Sequence, residues 1–288
     1  MKSLEVRIRE ASSAAGVGQS VVERDYAQGY VLLGLASSVA LGSTLVFKGG
    51  TALKKVHVGT YRFSEDLDFS AVQCPKGVDL ENEIRSAIDA AEAFARQHSD
   101  VRVTVERYEE RDPHPGGQEA FIVRFRFQWQ GRPMVPVKLE VTHDEPVLLQ
   151  APARPIVHGY GESLEAEVRT YCLEEICAEK LRSIRQTQAR LAERGWARSR
   201  ARDFYDLWHL SSLAPGSIDW AQVSGILPLK CSLRGVKISS VDDVFEPALV
   251  DEVRATWHRT LGPFVTELPD VGKVIEETHN RLSELLIL

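Results

Sequence analysis

Phe47-Lys48-Gly49-Gly50-Thr51-Ala52-Leu53-Lys54-Lys55, followed by Arg62-Phe63-Ser64-Glu65-Asp66-Leu67-Asp68-Phe69-Ser70, decides the fold of this chain. A β-type run, Leu45-Val46-Phe47, stops at the pair Gly49-Gly50, and residues 51–55 read as helical. A glycine turn opening a helix leaves bare backbone N–H groups that suit a phosphate. Asp66 and Asp68 stand two residues apart in an apolar strand. Their side chains therefore leave the same face, roughly 7 Å apart along the chain. Like charges so placed repel unless a cation neutralises them, and carboxylate oxygens suit a hard divalent ion such as Mg²⁺ or Mn²⁺. A phosphate cradle and metal-binding acids in one short segment imply chemistry on a nucleotide.

Outward from this segment, residues 19–42 read as one helix with an apolar face of Val21, Val22, Tyr26, Tyr30, Leu33 and Leu35. Residues 81–97 repeat apolar positions at i, i+3 and i+4 and read as a second helix. Residues 101–106 alternate as a strand, 112–117 (Asp-Pro-His-Pro-Gly-Gly) read as a turn or loop, and 120–129 alternate strictly. In that last run Phe121, Val123, Phe125, Phe127 and Trp129 share one face, and Arg124, Arg126 and Gln128 share the other. After Gly131-Arg132-Pro133, residues 135–142 form the next strand, which carries Leu139-Glu140-Val141. Helices then dominate, over 173–191, 202–213, 219–225, 241–261 and 271–288. The expectation is an α+β protein, with an α+β domain over 1–160 that includes N-terminal helices, and a helical domain over 161–288 that completes the active site.

Bulk properties narrow the class. The 288 residues, 43% apolar and 26% charged, suit a soluble globular protein. No run approaches the ~20 apolar residues that a membrane span needs, and the first residues lack the apolar core of a signal peptide. Cys74, Cys172, Cys177 and Cys231 form no C-x-x-C pair, and a reducing cytoplasm suits them. A net charge of −6 argues against a non-specific nucleic-acid coat. Yet Arg182, Arg185, Arg190, Arg194, Arg198, Arg200 and Arg202 face one acid, Glu193, in that stretch. The stripe is either a solvated helix face or a track for one polyanion. The eight histidines show no zinc-hydrolase spacing, and neither a Walker loop nor a G-x-S-x-G elbow occurs.

The pattern Gly-Gly … Asp-x-Asp, with Leu139-Glu140-Val141 downstream, resembles the first motifs of the DNA polymerase β-type nucleotidyltransferases. That resemblance implies a mixed-sheet core in which the glycine turn holds a triphosphate and three acids bind metal. Phe47-Lys48-Gly49-Gly50-Thr51-Ala52-Leu53, Arg62 to Phe69, Glu179-Lys180-Leu181 and Arg202-Asp203-Phe204-Tyr205-Asp206-Leu207 together look like the AbiEii/AbiGii toxin family of type IV toxin–antitoxin systems. The likeness runs from Val46 to Leu210 at least. It implies a cytoplasmic, metal-dependent nucleotidyltransferase that moves NMP from an NTP to an acceptor hydroxyl, the tRNA 3′ end among the acceptors, and a cognate antitoxin as partner. Asp66, Asp68 and Glu140 would bind Mg²⁺ or Mn²⁺, and Lys180 and Asp203 would complete the catalytic set. Lys48, Gly49, Gly50, Thr51, Lys54, Arg62 and Ser64 would flank the nucleotide, and Arg190, Arg194 and Arg198 would track RNA.

Independent of the resemblance, Lys180 falls on an apolar stripe between Ile176 and Ile184, where an anion must await it. That anion is a carboxylate or the triphosphate. Asp203 is read either as a positioning acid or as an ordinary acid near a helix start. Ser64 is a turn serine or, as in some relatives, a target of inhibitory phosphorylation, which would set negative charge beside the acids. Two other functions fit the same residues: a small-molecule (aminoglycoside-type) nucleotidyltransferase, and a non-catalytic module that holds nucleotide or a partner.

Overall fold

The computed structural model describes residues 2–109, 117–131 and 135–288, in two units, Met1–Tyr171 and Cys172–Leu288. The expected turns at 112–116 and at Arg132-Pro133 lie outside the described residues.

The first unit opens with three helices, α1 (Leu4–Ala15), α2 (Gln19–Ser37) and α3 (Val39–Thr44). The single helix expected over 19–42 breaks at Ser38, whose hydroxyl accepts the Leu41 N–H and caps α3. α2 is buried nearly all round, so its amphipathic stripe understates its role. It packs along α5 (Gly77–Ala95) where Gly34 meets the Ala87 carbonyl and Ala91, a contact with no room for a β-carbon.

β1 (Leu45–Lys48), β2 (Asp66–Ala71), β3 (Val101–Tyr108), β4 (Gln118–Phe127) and β5 (Val135–Thr142) form one sheet in the order β1-β2-β5-β4-β3. β2 and β5 run parallel and the other neighbours antiparallel. One face buries Leu67, Val103, Phe121, Val123, Phe125, Val137 and Leu139. The alternation expected for 120–129 holds through Phe127. Trp129 then leaves the strand, stacks on Phe127 at 4.9 Å and donates to Glu23 at 2.8 Å. A short hairpin, β6 (Ala153–Pro155) with β7 (Glu167–Arg169), completes the unit and gave no signal in the sequence.

The second unit holds α6 (Leu173–Arg194), α7 (Ala201–Ser211), α8 (Trp220–Ser232), α9 (Pro247–Leu261) and α10 (Val271–Leu285). The helix expected over 241–261 is a 3₁₀ turn, Val241–Val244, and then α9. Pro247 is the reason: it starts a helix readily, but it forces its predecessor out of the helical region. Among the described residues no helix is long and apolar enough to cross a membrane.

Candidate active site

Strand register builds the site in the first unit. Lys48 on β1 lies opposite Asp68 on β2, and Asp68 lies opposite Glu140 on β5. One row of the sheet thus carries a cation and two carboxylates side by side. Asp66 sits one row along, opposite Lys138. All leave the face opposite the Leu67 and Leu139 core, because their positions alternate with those residues.

Asp68 and Glu140 are direct cross-strand neighbours on β2 and β5. Burial, then the charges of Glu140 and Asp66, push the Asp68 carboxyl well above its usual range, and Lys48 only partly offsets this. Lys138 pairs with Glu140 and lies 5.1 Å from the Tyr108 ring centre. Lys48 is buried, with Nζ 3.2 Å from Glu145. Among the described residues no three acidic, histidine or cysteine side chains close into a ready cage for a metal ion. The donor set still suits one: three hard carboxylates in neighbouring register positions, with repulsion that a divalent cation would relieve.

The glycine turn lies against these acids. Gly49 has φ +79°, and a β-carbon on it would come within 2.6 Å of Asp68 Oδ2. One at Gly50 would lie 2.6 Å from Arg62 Nη2 and 3.3 Å from Ser64 Oγ. Gly49 is required by its backbone angle and lies tight against Asp68, whereas a β-carbon at Gly50 would push aside the end of the Arg62 side chain. The turn enters α4 (Gly49–Ala52), which continues as a π-helical turn, Leu53–Val58.

Not every residue expected at the nucleotide is free to reach one. The Thr51 hydroxyl is fully buried and donates to the Asp66 carbonyl, so it ties the helix to β2. Lys54 donates to the Tyr61 carbonyl at 3.1 Å and lies 4.1 Å from the Phe63 ring centre. Burial lowers its pKa, with Lys55 adding to the shift and Asp25 opposing it. Arg62 is buried and donates to the Phe63 carbonyl at 3.1 Å. Gln28 of α2 donates to the Ser64 and Glu65 carbonyls at 3.1 and 3.0 Å, and Arg24 pairs with Glu65 at 2.8 Å. α2 thus holds the segment that delivers Asp66.

Sequence reading missed the neighbour of Lys54. Lys55 is buried and pairs with buried Asp25 at 2.7 Å, and Tyr160 donates to the same Asp25 oxygen at 2.7 Å. Each partner sits beside other charged residues, Asp25 after Glu23 and Arg24 and Lys55 after Lys54, so nothing in the sequence singled the pair out.

In the second unit Lys180 finds carboxylates: Asp203 at 3.0 Å and Asp206 at 2.5 Å. Arg200 adds a bond to Asp203 at 3.2 Å and one to Thr187 at 2.6 Å. Burial pulls the Asp203 pKa up, but Lys180 and Arg200 outweigh it and hold the carboxyl below its usual range. Asp206 is a partner that the sequence pattern does not single out; its only sign there is its place one turn beyond Asp203.

The arginine stripe divides. Arg182 pairs with Glu179 and Arg185 with Glu246, Arg200 joins Asp203, and Arg202 stacks on Phe264 at 4.8 Å. Arg190 and Arg198 make no ion pair among the described residues, and Arg194 lies only loosely, 3.9 Å, from exposed Glu193.

A mixed sheet with paired acids beside a glycine turn, followed by a helical half, defines an α+β protein. The family described as Nucleotidyl transferase AbiEii toxin, Type IV TA system, matches residues 30–283, and the chain belongs to it. Its fold is shared by MenT4, nucleotidyltransferase toxin Rv2826c from Mycobacterium tuberculosis H37Rv, with a TM-score of 0.67 at 24% identity, over 99% of this chain and 90% of that one. Comparison with curated proteins gave no match.

Proposed function

We propose that the protein transfers a nucleoside monophosphate from an NTP to an acceptor hydroxyl of RNA, the tRNA 3′ end being the leading acceptor. The row Lys48–Asp68–Glu140 beside Gly49 carries this reading. The backbone N–H groups of Gly49 and Gly50 receive phosphate oxygens. Thr51 supports that turn from beneath, and Lys48, Lys54, Arg62 and Ser64 bound it. Asp66, Asp68 and Glu140 would hold Mg²⁺ or Mn²⁺, which supplies charge neutralisation at the reacting phosphate. Glu140 takes the acceptor hydroxyl's proton, the acceptor oxygen bonds to the α-phosphorus, and the bond from that phosphorus to the β-phosphate oxygen breaks, releasing pyrophosphate. Lys138, paired with Glu140, orients its carboxylate. Lys180 and Asp203 serve through the ion cluster of the second unit, and Arg190, Arg194 and Arg198 supply cations for RNA. The partner is a cognate antitoxin, as the family's systems require, and the setting is the cytoplasm.

The test incubates purified protein with Mg²⁺, each α-labelled NTP and total RNA. Label should enter RNA with release of pyrophosphate, and Asp68→Asn should abolish both. Pyrophosphate release with label only on a small molecule would replace the RNA acceptor, and nucleotide binding without turnover would make the protein a binding module.

A further inference from the structure

The open face of the sheet holds a feature the site does not use. Arg102 on β3 and Arg126 on β4 are direct cross-strand partners. Both are exposed, and neither forms an ion pair among the described residues. Directly opposed side chains in a sheet stand about 4.5–5.5 Å apart at Cβ, and like charges in that position destabilise the pairing. The fold has an obvious remedy and uses it one step away, where Arg124 pairs with Glu106 at 2.6 Å. An arginine pair left uncompensated is a local conflict of the kind that marks function.

The pair lies on the same face as the acids. Successive open-face positions from Glu140 are Lys138 opposite Ile122, then Pro136 opposite Arg124, then Arg126 opposite Arg102. At about 3.3 Å per residue the arginine pair stands roughly 20 Å from Glu140 along the strands. Phosphates seated at Gly49, on the far side of β2, are out of its reach. An extended polyanion can span from this pair to the acids, and the second reactant is one if it is RNA. Tyr108, 44% exposed and beside Lys138, offers a ring on the same face for a base.

We infer that the open face of β3, β4 and β5 is the docking track for the acceptor RNA strand, with Arg102 and Arg126 binding its phosphates at the end distant from the acids. The inference rests on the nucleotidyl-transfer reading for the identity of its ligand, but its test does not need turnover. Binding of oligouridylate to the full chain is measured in EDTA, without NTP, across a salt series. Two phosphate contacts on a single strand contribute about 1.4 to the slope of log K against log salt. Arg102→Ala/Arg126→Ala should lose that increment, so that from about 50 to 200 mM salt the wild type weakens about sevenfold more than the variant. Arg102→Glu, which sets an acid opposite Arg126, should abolish the pair's contribution and raise the melting temperature. In turnover the double variant should raise KM for RNA more than KM for NTP.

Unchanged slope and affinity in both variants overturn the track. So does a loss of polyglutamate binding with RNA binding intact, which would assign the face to an acidic protein. If RNA is labelled with the same KM by wild type and double variant, the track fails and nucleotidyl transfer stands. If the slope falls as expected but no NTP is turned over, the track stands and the reaction fails.

Discussion

Two ionic clusters, one in each unit, were assembled from the same residue types to opposite effect. Around Asp68 three carboxylates lie in neighbouring register positions, and burial and mutual repulsion drive one of them well above its usual pKa. Around Lys180 two carboxylates and two cations interlock, and Asp203 is held below its usual pKa despite burial. The first cluster keeps a repelled carboxyl although Lys48 and Lys138 stand beside it; in the second the cations outweigh burial. A carboxyl held so far from its ordinary pKa is where a ligand is expected to act, so the contrast places the proposed metal-assisted chemistry at the first cluster, while the second ties α6 to α7 around Lys180.

The largest test of that contrast is Asp68→Asn. A metal ion contributes several kcal/mol to a phosphoryl transition state, so removing a ligand should cut transfer on the order of a thousandfold. The substitution removes a repelled charge, so thermal stability should hold or rise. Lost activity with a falling melting temperature would mean that Asp68 is structural and would dissolve the contrast. In the second cluster the signs reverse. Asp206 is fully buried, and Asp206→Asn strips Lys180 of one partner while Asp203 remains. Breaking a buried pair costs ~3–5 kcal/mol, and the surviving partner places this case near the lower end, about 3 kcal/mol in urea unfolding. A neutral result would show that Lys180 does not depend on its carboxylates.

A third group separates titration of the fold from titration of either cluster. His158 packs among the rings of Tyr26, Tyr30 and Tyr160, and neither ring nitrogen has a hydrogen-bond partner among the described residues. Burial lowers its pKa to about 3 from 6.5, and the Lys55 charge adds to the shift. The folded-state value lies below the unfolded one, so below pH 6.5 the unfolded chain takes up a proton that the folded chain refuses. The group costs nothing above that pH. Stability should then fall as pH drops from 6.5 towards 3, by at most about 1.4 kcal/mol per pH unit. His158→Phe should flatten that slope in urea titrations while leaving the response to Asp206→Asn unchanged. A variant with the full acid slope would move the titration to other groups.

How much of this was legible depended on whether a feature was local. Gly49-Gly50, Asp66-x-Asp68 and the strand of Glu140 declared themselves because turn chemistry and period-two alternation are properties of neighbouring residues. The bounds expected for the Glu140 strand, 135–142, are those observed. Lys180 was marked by a charge on an apolar stripe, although its partners were not. What escaped depends on register or tertiary packing. The opposition of Arg102 to Arg126 is invisible until β3 and β4 are aligned. The Asp25–Lys55 pair joins segments 30 residues apart. Asp206 looked like its neighbours on α7 until Lys180 arrived beside it. The break before α9 is local and follows from Pro247, although the apolar pattern runs on across it.

The arginine stripe gives the smallest and most selective comparison, because it sets used charges against unused ones within a single segment. Arg182 and Arg185 are tied to Glu179 and Glu246, whereas among the described residues Arg190 and Arg198 have no acid and Arg194 only a loose one. Exposed pairs of the latter kind contribute little to stability, so Arg190→Ala/Arg194→Ala/Arg198→Ala should melt with the wild type. If these three meet RNA phosphates, the same triple variant should lower the salt slope of RNA binding by about 2, with affinity falling alike on every sequence. Arg182→Ala should do the reverse: it removes the buried arginine's bonds to Glu179 and Gln186, destabilises the fold modestly and barely moves the slope. Equal slopes for the triple variant and the wild type would make the stripe a solvated helix face and leave the sheet to carry RNA alone.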